Sequence, residues 1–157
     1  MRDPLVAARN LRSFFEPRSV AVVGASPDPA RGGHRIVRNL LEHFGGHVYA
    51  VNPHATEVLG LPTYPTVGAI PGEVDLAVVF IPAVAVPAVV SDCVAKGVRA
   101  VCIESGGFAD AGPDGERLQR ELEALARSGN TRVWGPNCAG YVCTRPPCPP
   151  RSWSPPG

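Results

Sequence analysis

The chain is expected to fold as one α/β domain, a doubly wound parallel sheet of the Rossmann-like kind. Three observations carry that expectation. Short apolar strands alternate with amphipathic helices from Ser19 to Trp134. The strands are apolar throughout rather than at every second residue, which marks strands covered on both faces. The first strand runs straight into Gly24-Ala25-Ser26, with Gly32-Gly33 opening the next helix. Such a turn aims backbone N–H groups and a helix N-terminus at a phosphate.

The elements follow in order. Ser19–Val23 is the first strand. Gly33–Phe44 has helical spacing, with Ile36, Val37, Leu40, Leu41 and Phe44 on one face and Gly45-Gly46 ending it. His47–Val51 is the second strand, closed by Asn52-Pro53. Val67–Ile70 is expected to form one helical turn. Asp75–Ile81 is the third strand and the most apolar, hence central. Val84–Lys96 is the second helix, with Val86, Val89, Val90, Cys93 and Val94 inward and Gly97 suited to its C-terminus. Arg99–Ile103 is the fourth strand. Pro113–Ser128 is the third helix, with Leu118, Leu122, Leu125 and Ala126 inward and Gly129 stopping it. Thr131–Trp134 is the fifth strand. Strict alternation of this kind implies parallel strands joined by right-handed crossovers.

Composition removes several function classes. The 157 residues suffice for one domain with a core. A formal net charge of +1 gives no footprint for nucleic acid or an anionic membrane. The apolar runs Leu76–Ile81 and Val84–Val90 are too short to span a bilayer, and Pro82 and Pro87 interrupt them. Met1 to Arg9 lacks the apolar stretch of a signal peptide, so a cytoplasmic location is expected. The five cysteines lack a C-x-x-C pair, and Cys93 and Cys102 sit in core-like contexts, so reduced thiols are expected. His34, His43, His47 and His54 show no metal-ligand spacing with them. His43 and His47 read as solvent-facing, while His34 and His54 stand where a ligand would come close.

Ligands of open α/β sheets sit beyond the carboxyl ends of the strands. That rule selects Gly24–Gly33, Asn52–Ala55, Pro82–Ala85, Glu104–Phe108 and Gly135–Gly140. An NAD fingerprint wants G-x-G-x-x-G and an acid at the end of the second strand. Here Ser26 takes the second glycine position and the strand ends in Asn52-Pro53-His54. NAD is therefore disfavoured, and NADP or another adenosine with a phosphorylated ribose stays open. No Walker-type phosphate loop occurs. Cys138 has no identifiable base beside it, so no catalytic residue is assigned. Gly24 is expected to leave room for a phosphate, so that Gly24→Val would abolish binding with the fold nearly native.

Five segments together resemble a known family. SVAVVGAS (Ser19–Ser26), VNP (Val51–Pro53), VDLAVVFIPA (Val74–Ala83), ESGGF (Glu104–Phe108) and GPNCAG (Gly135–Gly140) are similar to the CoA-binding domain of the NDP-forming acyl-CoA synthetases. These include ADP-forming acetyl-CoA synthetase and the α subunit of succinyl-CoA synthetase. The likeness covers roughly residues 11–142. It implies that Gly24, Ala25, Ser26 and Pro27, with the loop to Gly33, hold the phosphates of coenzyme A. Asn52, Pro53 and His54 match a family Asn-Pro-Lys, with a conditional charge at His54 in place of a permanent one. Ile81, Pro82 and Ala83 would line the adenine and pantetheine path. Ile103, Glu104, Ser105 and Gly106 would sit near the pantetheine arm, and Asn137 and Cys138 near the reacting end.

The same resemblance implies what lies elsewhere. In the family the reaction runs through a phosphohistidine on a following domain, and an ATP-grasp domain supplies the nucleotide chemistry. No histidine here matches the phosphorylated one, so a partner domain or subunit is expected to carry both functions. The chain then reads as the CoA-binding part of an ADP-forming acyl-CoA ligase. The alternatives are a stand-alone regulatory CoA-binding protein and an NAD(P)-binding oxidoreductase domain. Thr144–Gly157 holds six prolines and loses all periodicity. Residues 143–157 are accordingly expected to be a disordered tail, either a linker or the mark of a truncation or shifted reading frame.

Overall fold

The computed structural model of the protein describes residues 11–140. The expectations for residues 141–157 and for Cys143 and Cys148 lie outside them. Seven strands form one sheet: β1 (Ser19–Val23), β2 (His47–Val51), β3 (Glu57–Val58), β4 (Leu61–Tyr64), β5 (Leu76–Val79), β6 (Ala100–Ile103) and β7 (Arg132–Trp134). Their order is β3-β4-β2-β1-β5-β6-β7. Every pairing is parallel except β3 with β4. Three long helices, α1 (Gly32–His43), α2 (Val86–Lys96) and α3 (Pro113–Ser128), supply the crossovers.

The doubly wound expectation holds in the side chains. Successive residues of a strand point to opposite faces. Ala21, Val23, Ala77, Val79, Val101 and Ile103 turn to one side, where they pack with Val86, Val90 and Cys93 of α2 and Leu122 of α3. Val20, Val22, Leu76, Val78, Ala100 and Cys102 turn to the other, toward Val37, Ile36 and Leu40 of α1 and toward Phe14. Both faces are dry, which is why the strands carry no polar alternation.

Three readings are corrected. The covered stripe of α1 is narrower than its pattern: Leu41 is 44 % exposed and joins no apolar cluster. Val67–Ile70 is a turn closed by the Ile70 N–H on the Val67 carbonyl, 3.2 Å, and not a helical segment. The sheet is also not wholly parallel, because β3 and β4 form a hairpin that adds two strands beyond β2. The hairpin turns on Leu59 (φ 51°) and Gly60 (φ 82°), both left-handed, which suits a two-residue turn of the primed type. Leucine replaces the usual Asn or Asp there and Pro62 interrupts β4, so neither strand announces itself in the sequence. Residues 11–15 are helical as well.

Candidate functional site

The carboxyl ends of β1, β2, β5 and β6 bring the expected segments to one edge of the sheet. Gly24 leaves β1 with φ 92°. A Cβ there would strike the Phe80 carbonyl oxygen and lie 2.9 Å from Ile81 Cγ2. Gly33 is equally constrained, since a Cβ would run into the Gly24 carbonyl. Both glycines are thus required by the close approach of α1, β1 and the end of β5, with or without a ligand. This corrects the expectation that Gly24→Val would leave the fold nearly native.

The loop between β1 and α1 is held from three directions. Ser26 is buried, and its Oγ accepts the Asp28 N–H at 3.1 Å. The Ser26 carbonyl receives His34 Nδ1 at 3.0 Å. A carbonyl only accepts, so Nδ1 carries the proton and the ring tautomer follows. His34, 7 % exposed, is therefore a brace of the loop that the sequence left undecided. The third hold is Asn52. Its Nδ2 donates to the Ala25 carbonyl at 2.7 Å, while its Oδ1 accepts the N–H groups of His54 (2.7 Å) and Ala55 (3.2 Å). One amide thereby ties the loop after β1 to the loop after β2. Pro27, Pro53 and His54 are exposed on these loops.

The other half of the edge is built on Ser105. Its Oγ accepts the Ile81 N–H at 3.1 Å and donates to the Val79 carbonyl at 3.4 Å, joining the ends of β5 and β6. Its carbonyl accepts the Asn137 N–H at 2.9 Å, and the Ile103 carbonyl accepts that of Cys138 at 3.3 Å. The Gly135–Gly140 loop is thus stitched beside β6. Asn137 has φ 55°, a left-handed conformation that Asn tolerates better than most residues. Gly106 lies under the Asn137 side chain, where a Cβ would sit 3.2 Å from Oδ1. Pro82 and Ala83 lead from β5 into α2, and Ala83 faces Gly107.

Electrostatics add two features. Burial pushes the Cys102 thiol up to about 12, helped by Cys138 beside it, so it stays protonated. Burial also raises the Glu104 carboxyl above its ordinary 4.5. A raised folded value contributes stability that is complete below the unfolded value and is lost as pH rises through the folded one. Glu104→Gln is therefore expected to melt like the wild type near pH 4 and above it at pH 7. Thermal melts across that range check this, and a constant difference at all pH values would contradict it.

Among the described residues no three His, Cys, Asp or Glu side chains gather to hold a metal, and no helix is long and apolar enough to cross a membrane. A crevice of about 280 Å³ among Glu73, Asp75, Lys96 and Arg99 opens at the amino end of β5, the opposite edge of the sheet.

Comparison with known proteins bears on the same residues. The model of the CoA binding domain family matches residues 18–144. The chain is 44% identical over 131 residues to subunit alpha of the ADP-forming acetate–CoA ligase II of Pyrococcus furiosus, covering 83% of this chain and 29% of that one. The dinucleotide-forming acetyl-coenzyme A synthetase 1 of Ca. Korarchaeum cryptofilum, solved with phosphate and ADP, superposes with a TM-score of 0.79 at 44% identity. That match covers 84% of this chain and 28% of that one. A conserved hypothetical protein from Pyrococcus furiosus superposes with a TM-score of 0.57 at 30% identity, covering 74% of this chain and 92% of that one. The chain spans less than a third of the length of the two ligases.

Proposed function

The chain belongs to the CoA-binding domain family, and from that premise we propose that it seats coenzyme A across the carboxyl ends of β1, β2, β5 and β6 as one part of an ADP-forming acyl-CoA ligase. The observation that carries the reading is the amide of Asn52 bridging the loops after β1 and β2. It draws Gly24, Ala25, Ser26, Pro27 and the start of α1 into one cradle with Pro53 and His54. Backbone N–H groups and the positive end of α1 favour phosphate there. The β2 end carries no acid, which suits a ribose bearing a phosphate. Ile81, Pro82 and Ala83, with Ile103, Glu104, Ser105 and Gly106, line the way toward Asn137 and Cys138.

The partner is a further domain or subunit that supplies the phosphohistidine and ATP-grasp functions, and the setting is the cytoplasm. Alone, the chain makes no acyl-CoA in this reading. A second reading, a stand-alone CoA-binding protein, draws on the Pyrococcus furiosus protein nearly all of whose length this chain matches.

Titrating CoA into isotopically labelled protein tests the placement. Amide resonances of residues 24–33, 52–55, 81–83, 103–106 and 137–138 are expected to move. Movement confined to the crevice around Lys96 and Arg99 would overturn it.

A further inference from the structure

Phe80 lies at the edge of this cradle, beside Gly24 and Gly32. It follows β5 directly, its N–H bonded to the Val23 carbonyl at 2.9 Å and its carbonyl pressed on Gly24. The backbone is thus fixed at the heart of the loop cluster. Its side chain belongs to no apolar cluster and is 41 % exposed.

The ring is nevertheless held. A Cβ on Gly32 would fall within 3.0 Å of three successive ring atoms, Cδ1, Cε1 and Cζ. Distances that similar put the missing atom over the ring face rather than beyond its edge. Gly32 therefore lets the first turn of α1 back one face of the ring, and any other residue would displace it. A partly exposed aromatic surface, backed by Gly32, stands beside the amino end of α1. The face of a phenyl ring matches a planar heteroaromatic partner in an offset stack.

We propose that the Phe80 ring is the surface on which the adenine of bound CoA stacks. This rests on the reading of the site as a CoA site. It adds the residue that recognises the base and gives Gly32 its purpose. Base–aromatic stacking of this kind typically changes affinity by about tenfold or more on truncation to alanine.

The test compares three ligands against wild type, Phe80→Ala and Phe80→Trp by calorimetry. Phe80→Ala is expected to weaken CoA and 3′,5′-ADP by about tenfold and to leave 4′-phosphopantetheine within twofold. Phe80→Trp should retain CoA affinity. Its added fluorescence should be quenched by 3′,5′-ADP and not by 4′-phosphopantetheine. Unchanged CoA affinity in Phe80→Ala, or equal weakening of all three ligands, would overturn the stacking role while the CoA site stands. Failure of the wild type to bind CoA would overturn both.

Discussion

Gly24→Val is expected to cripple the fold itself, not merely ligand binding. The substituent meets the backbone carbonyl of Phe80 just beyond β5, and main chain tied to the Val23 carbonyl through the Phe80 N–H cannot swing aside as the end of a side chain can. The φ of 92° adds strain for any side chain, about 1–2 kcal/mol. Overpacking typically costs about 1–3 kcal/mol more. The sum is a large part of the roughly 5–15 kcal/mol that stabilises an ordinary domain. Urea unfolding should show the midpoint falling by about 1 M or more. An unchanged midpoint would mean that the β1 and β5 ends are not packed as described.

The second large effect is expected at Asn52. Asn52→Ala removes three hydrogen bonds at once and leaves the Ala25 carbonyl and the part-buried Ala55 N–H without a partner. Such a loss costs about 1–3 kcal/mol. The looser cradle should also bind CoA at least tenfold more weakly. Asn52→Asp is the sharper variant. It keeps an acceptor for His54 and Ala55 but sets a carboxylate oxygen against the Ala25 carbonyl, and it adds negative charge where a phosphate is expected. Asp should therefore be at least as damaging as Ala in both calorimetry and thermal melts. If Asp binds CoA as the wild type does, Asn52 does not organise the cradle.

These two residues also show what could be read from the sequence. The strands β1 and β2 and the helix α3 are legible to the residue, because apolar runs and punctuating Gly and Pro residues bound them. So is the edge of the sheet where the loops gather. The purpose of individual residues is less legible. Gly24 looks like a space left for a ligand, and the close approach of Phe80 and Ile81 requires the glycine as well. Asn52 reads in the sequence as a missing acid and as part of the Asn-Pro match, whereas its amide joins the loops after β1 and β2, 27 residues apart from Ala25 to Asn52. Phe80 is hidden in the apolar run Asp75–Ile81, since periodicity does not separate a buried aromatic from one turned outward. His34 stood undecided because its partner, the Ser26 carbonyl, is backbone and leaves no trace in the composition. The β3–β4 hairpin escaped for the same reason: its turn depends on the φ values of Leu59 and Gly60.

The β2 end, Asn52-Pro53-His54, carries no acid, and a phosphorylated ribose is the group proposed to meet it. Calorimetric titration of the chain with CoA, dephospho-CoA and NAD tests that proposal most directly. Removing the 3′-phosphate takes away the group that the β2 end and His54 are expected to meet. NAD keeps an adenosine diphosphate but has an unphosphorylated ribose and no pantetheine arm. CoA should bind most tightly, dephospho-CoA less tightly and NAD least. NAD binding as tightly as CoA would contradict the account.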